Sequence, residues 1–113
     1  MECLFCRIAN GESNADIVYD DGEVLAFRDI NPVAPHHLLI IPRRHIATVN
    51  DMKTEDAALF GRLHLAAAKL ADEHGFAAQG YRLTMNCGRD GGQTVFHVHL
   101  HLMAGRHLRW PPG

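Results

Sequence analysis

Hydrophobic and polar positions change rhythm several times along this chain, and each rhythm predicts an element. Residues 96–103 read Phe-His-Val-His-Leu-His-Leu-Met, an alternation of imidazole and apolar side chain. A strand repeats every two residues. If extended, this segment puts His97, His99 and His101 on one face and Val98, Leu100 and Leu102 on the other. Residues 17–19 and 24–28 read as a hairpin around the turn Asp20-Asp21-Gly22. Residues 37–42 form an apolar strand ended by Pro42, and residues 81–86 a further strand. Residues 53–74 shift to a helical period, with Phe60, Leu63, Ala67 and Leu70 on one side. Thr54 is the expected cap of that helix, Glu55 and Asp56 sit in its first turn, and Gly75 supplies the stop. A short helix is expected near the start. Leu4, Phe5 and Ile8 make its buried face, and Asn10-Gly11 ends it.

Strands and helices are not in strict βαβ alternation. The expected fold is therefore α+β: a mostly antiparallel five-stranded sheet with one long helix and one short N-terminal helix. At 113 residues the chain is one domain, 1–113, with one core and a tail over 106–113 too short to fold alone.

Composition narrows the partners. A formal net charge of −2 leaves no electrostatic footprint for duplex nucleic acid or a membrane surface, so neither is expected. A small phosphate ligand needs only local donors and stays open. No signal-peptide pattern or apolar run of transmembrane length is visible, which makes the cytoplasm the default expectation. Three cysteines suggest reduced thiols or metal ligands rather than a disulfide framework.

A row of three imidazoles asks for a use. One metal ion held by all three is disfavoured, because residues 97 and 101 of a strand lie roughly 13 Å apart. Acid–base and nucleophilic chemistry on an anionic substrate suits neutral imidazoles better. Just upstream, Asn86-Cys87-Gly88-Arg89-Asp90-Gly91-Gly92-Gln93-Thr94 offers glycines for close backbone approach, a hydroxyl and two amides. Beside the histidines it looks like half of a phosphate pocket, although Asp90-Gly91 is also an ordinary hairpin turn. Cys3 and Cys6 share one side of a helical turn, as two packed thiols or as half of a zinc site. Asp29 ends a strand, where a turn or cap carboxylate is equally at home. Arg43-Arg44 could form an anion clamp, but two adjacent arginines are more often solvated surface.

The segment His97-Val98-His99-Leu100-His101-Leu102-Met103 resembles the histidine triad (HIT) signature. Residues 27–32 (Phe-Arg-Asp-Ile-Asn-Pro), residues 35–45 and the terminal Trp110-Pro111-Pro112-Gly113 are similar to the Hint branch, the nucleoside-phosphoramidate hydrolases. The resemblance implies a HIT-like homodimer paired through the long helix and its neighbouring strand. It implies hydrolysis of a purine nucleoside 5′-monophosphate joined to an amine, through a nucleotidyl-histidine on His99. His101 would hold a phosphate oxygen and pass a proton, and His37 would support the triad. Asp29 would accept the ribose hydroxyls, with Phe27 and Ile30 against the base. Asn86, Gly92, Gln93 and Thr94 would surround the phosphate. No cofactor is implied for catalysis. A structural zinc is implied on Cys3, Cys6, His45 and His97, which would make His97 structural. The tail would shape the leaving-group pocket of the other subunit. Thr94 stands where serine is common and Phe96 where tyrosine is common. Three other expectations compete: a chelator-sensitive hydrolase using one His-x-His pair, a nucleotide-binding regulator with negligible turnover, and a dinucleoside polyphosphate hydrolase or nucleotidyl transferase.

Overall fold

The computed structural model describes residues 3–113. Five strands run as β1 (Ile17–Asp20), β2 (Val24–Arg28), β3 (His36–Pro42), β4 (Arg82–Thr84) and β5 (Leu100–Ala104). They form one antiparallel sheet in the order β1-β2-β3-β5-β4. Helices are α1 (Leu4–Ala9), α2 (Ala57–Glu73) and a single turn, α3 (Gly88–Gly91). The expected α+β architecture is what forms.

Both faces of the central strands are covered, and the period of two sorts their residues between two cores. Val24, Ala26, Leu38, Ile40, Leu100 and Leu102 face α2 and meet Leu63, Ala67 and Leu70. Leu25, Phe27, Leu39 and Ile41 face the opposite way and pack on Phe5 and Ile8 of α1. In β5 the residues between the α2-facing ones are His101 and Met103, so the imidazoles are committed to the α1 side. Adjacent His36 and His37 split as the pattern requires. His36 lies on Phe76 with ring centroids 4.8 Å apart, while His37 joins His101 on the other face.

Several details differ from the sequence expectation. The helix expected over 53–74 begins at Ala57, after a 3-10 turn at Thr54–Asp56. Thr54 does not cap it. The Asp56 carboxylate turns back to accept the Lys53 N–H and to pair with Arg44, which tightens that turn. Gly75, at φ 84°, does stop it: the N–H of Phe76 closes on the Ala71 carbonyl at 3.0 Å. In α1, Phe5 and Ile8 are buried as expected, but Leu4 is exposed. Strand β5 starts at Leu100 and not at residue 96. Ahead of it, the Val98 N–H donates to the Ile46 carbonyl at 2.7 Å, beyond the end of β3. Last, β4 covers only three residues, and Asp90-Gly91 lies in α3 instead of a hairpin turn.

Leu70 is fully buried where α2 meets the sheet. Leu70→Ala removes that contact and leaves a cavity, for an expected loss of about 2–5 kcal/mol. Urea unfolding of the variant beside the parent measures it.

Candidate functional site

Backbone carbonyls decide what each histidine can do, because a carbonyl oxygen accepts and never donates. Nδ1 of His99 lies 2.8 Å from the His97 carbonyl, so the proton of the neutral ring sits on Nδ1. The lone pair is left on Nε2, which has no hydrogen-bond partner among the described residues. Nε2 of His97 lies 2.7 Å from the Pro42 carbonyl, so His97 carries its proton there and turns the Nδ1 lone pair the other way. Two adjacent triad members thus hold opposite tautomers and face different surroundings.

His97 faces sulfur. Its Nδ1 is 3.5 Å from Cys3 Sγ, 3.5 Å from Cys6 Sγ and 3.2 Å from His45 Nδ1. Cys6 Sγ is 3.3 Å from His45 Nδ1. All four ligand atoms fall within 4.8 Å of one another. A tetrahedral zinc with ordinary Zn–N and Zn–S bonds has N–N edges of about 3.3 Å and S–N edges of about 3.6 Å. These four distances match those edges, so the residues present fit a metal ion. Local sequence builds it: Cys3 caps α1, its sulfur accepting the Cys6 N–H at 3.4 Å, and the first helical turn brings both thiols together. Burial, then the hydrogen bond to Cys3, pushes the Cys6 thiol up to about 11. A cation would have to displace that proton. Nε2 of His45 is buried without a hydrogen-bond partner among the described residues, which leaves that face of the ring without the acceptor that usually orients a ligating imidazole.

A second cluster joins Asp29, His37 and His101. Register explains it. β3 pairs Leu39 with His101 and His37 with Met103, so His37 and His101 are diagonal neighbours on one face. Asp29 follows β2, and its backbone N–H donates to the His37 carbonyl at 2.9 Å. The Val33 N–H donates to His37 Nδ1 at 3.1 Å. His37 therefore carries its proton on Nε2, which sits 2.9 Å from His101 Nδ1 and 3.3 Å from Asp29 Oδ2. That proton excludes Nε2 as a metal ligand, so this cluster is a hydrogen-bond relay and the sulfur-rich one is the metal candidate. With Nδ1 of His101 accepting, the His101 proton is on Nε2. The His99 and His101 rings have centroids 4.9 Å apart.

Electrostatics keep the relay neutral. Burial lowers the affinity of His99 for a second proton, against the opposing pull of the His97 carbonyl and Asp29. Burial likewise lowers His37, with Asp29 opposing. His101 falls furthest, to about 4, through burial first and then the neighbouring His99 and His37.

The remaining expected residues divide. Ile30 is 87% exposed and free to meet a ligand. Phe27 is only 4% exposed and sits edge-on to Phe5 at 5.3 Å, so little of its ring is open to a ligand. Asp29 Oδ1 accepts the Asn31 N–H at 2.8 Å, so this carboxylate shapes its own loop as well as facing His37. Gln93 is buried and fully engaged: Oε1 accepts the Gly88 N–H, while Nε2 donates to the Ala47 and Val95 carbonyls. A side-chain bond from Gln93 to phosphate would break one of these, so its role is to hold the loop. Gly92, at φ 83°, turns the chain out of α3 in the left-handed region that suits glycine. Thr94 is exposed at the loop mouth, and Asn86 is half-buried against Gly91. Val33 and the Pro42 carbonyl were absent from the sequence expectation, and the backbone carbonyl expected to hold His99 could not be assigned to a residue, since backbone groups leave no residue signal.

Comparisons with known proteins agree with this arrangement. A family model described as the HIT domain matches residues 10–108. The purine nucleoside phosphoramidase of Escherichia coli (strain K12) is 51% identical over 107 residues, 95% of this chain and 90% of that protein. Among solved structures, a HIT family hydrolase from Legionella pneumophila Philadelphia 1 superposes with a TM-score of 0.98 at 53% identity, covering 99% of this chain and 100% of that one. A Zn-bound histidine triad family protein from Mycobacterium smegmatis has a TM-score of 0.80 at 36% identity, over 94% of this chain and 76% of its own.

Neutral buried histidines tie stability to pH. The folded values of His37 and His101 lie below the ordinary imidazole value of 6.5, so the unfolded chain binds more protons as pH falls. Their contribution is complete above about pH 6.5 and is lost progressively down to about pH 4. Denaturant titrations from pH 8 to 4 should show a plateau, then a decline across that window. In a His101→Asn variant the decline should be shallower.

Proposed function

This chain belongs to the HIT domain family, and from that premise we propose that it hydrolyses purine nucleoside phosphoramidates. The observation that carries the reading is the fixed tautomer of His99, whose Nε2 lone pair is free and whose ring stays neutral near pH 7. The similarity to the E. coli phosphoramidase supports the choice of a P–N bond and a purine nucleoside.

In this reading His99 Nε2 attacks the α-phosphorus. Its Nδ1–H keeps donating to the His97 carbonyl, which steadies the positive charge that the ring acquires. His101 Nε2–H points its proton at the phosphoryl group, held in that tautomer by His37. The P–N bond breaks as the leaving nitrogen takes a proton from solvent, so that the amine departs neutral and His101 keeps the Nε2–H that holds the phosphoryl oxygen. Water then attacks the nucleotidyl-histidine, gives a proton back, and releases the monophosphate. Thr94 and the backbone around Gly92 supply donors to the equatorial oxygens. Asn86 serves the 5′ side. Ile30 carries the base and Asp29 Oδ2 the ribose hydroxyls. His37 acts through His101.

Cys3, Cys6, His45 and His97 hold a structural zinc in this reading, supported by the tetrahedral edge lengths and by the Zn-bound mycobacterial relative. Such an ion ties α1 to the segment leading into β5. We assign it no part in the bond-breaking steps. Two copies pair through α2, where Leu65 is 72% exposed, and through the free edge of β4. No helix among the described residues is long and apolar enough to cross a membrane.

Turnover of an adenosine phosphoramidate, with and without chelator, tests both parts. The parent should turn over, and His99→Gly should lose at least about 10³-fold in kcat while still binding adenosine monophosphate. An acid-labile nucleotide adduct should map to His99 in the parent. Chelator should lower Tm far more than it lowers kcat. Substantial turnover by His99→Gly would remove this histidine as nucleophile, and loss of turnover with an unchanged Tm on chelation would favour a metal-dependent reaction.

A further inference from the structure

The tautomer of His37 depends on the peptide N–H of Val33, and Val33 lies in a stretch that is largely exposed apart from Ala34 and is held from within by the Asn31 N–H donating to Asp29 Oδ1. Residues 29–35 join β2 to β3 with no regular structure apart from bends, and Ile30 and Val33 are both exposed. The tail holds this loop from outside. Arg106 Nε donates to the Val33 carbonyl at 2.9 Å, while Arg106 Nη1 donates to the His107 carbonyl at 3.3 Å. One guanidinium thus ties the loop to the turn that follows β5. The same residue of the loop, Val33, gives its N–H to His37 Nδ1 at 3.1 Å.

Two further features make this a fitted contact. Gly105 has φ 100°, and a Cβ built there would stand 2.8 Å from Pro35 Cβ and 3.0 Å from Pro35 Cγ. Only glycine lets the turn approach the loop so closely. Beyond it, Arg82 of β4 donates through Nη2 to the carbonyls of Leu108 at 3.2 Å and Arg109 at 2.8 Å, which anchors the tail on the sheet edge. The loop is thus held between β5 and a tail that is itself pinned.

We propose that Gly105 and Arg106 form a strap that positions Val33, and that through Val33 Arg106 sets the proton on His37 and hence the Nε2–H of His101. Arg106 is a positioning residue. It touches no reacting atom, and it acts through one residue whose carbonyl it holds and whose N–H the histidine needs. The catalytic consequence rests on the phosphoramidase reading. The tautomer consequence does not.

The test combines ¹⁵N spectra of the imidazoles with kinetics on the full chain. In the parent, His37 should show a protonated Nε2 and an unprotonated, hydrogen-bonded Nδ1. In Arg106→Ala the two forms should mix, and kcat for an adenosine phosphoramidate should fall about fivefold to tenfold with KM little changed. Arg106→Lys retains a donor and should recover part of both. Gly105→Ala should reproduce the spectral change without removing the guanidinium. An unchanged His37 tautomer in both Arg106→Ala and Gly105→Ala overturns the strap, and a mixed tautomer with unchanged kcat overturns its catalytic consequence. If the parent itself shows no phosphoramidate turnover, the functional reading fails, and the spectra alone still decide the strap.

Discussion

A peptide oxygen 2.8 Å from one ring nitrogen governs what this molecule can do. Because the His97 carbonyl can only accept, it holds the His99 proton on Nδ1 and exposes the opposite lone pair. The constraint does not stop there. The residue that supplies the carbonyl is itself immobilised, since its ring is buried, bonded to the Pro42 carbonyl and aimed at Cys3, Cys6 and His45. The candidate metal centre and the candidate nucleophile are therefore not separate sites. One residue takes part in the first through its ring and in the second through its backbone.

The same logic runs on the other side of His99. Val33 orients His37, and His37 orients His101, each by one hydrogen bond whose direction follows from what the partner can donate. Three neighbouring imidazoles would repel one another if charged. Burial removes that charge and leaves single protons whose positions the backbone can set. A sheet suits this arrangement. The period of two sends Leu100 and Leu102 into the core under α2, which keeps the strand rigid while His101 faces the other way. Phe5, at 5.0 Å from the His99 ring, closes the floor from α1.

How much of this was legible in the sequence varied with the kind of group concerned. Alternation located the imidazole face, the apolar strands and the long helix, because burial is written in side chains. The split of His36 from His37 followed from the same period. Spacing brought Cys3 and Cys6 together but left open whether they were ligands or packing. The structure added the partners, since Pro42, His97 and Val33 act through the main chain, which every residue shares. Gln93 shows how an amide that looks free in the sequence is already engaged in the fold. An amide beside a glycine loop suggested a phosphate donor, yet its three bonds hold the loop to Ala47, Val95 and Gly88. The helix start was misplaced for a similar reason, because an acidic first turn predicts a cap but does not show that Asp56 would turn back to Lys53 and Arg44.

The tautomer of His99 is the claim on which the whole account turns, and it is directly observable. Long-range ¹H–¹⁵N correlation spectra near pH 7 distinguish a protonated ring nitrogen from a bare one by their nitrogen shifts. The account predicts a neutral His99 ring with its proton on Nδ1 and an unprotonated Nε2. A His99 ring with its proton on Nε2, or with both nitrogens protonated, would contradict it.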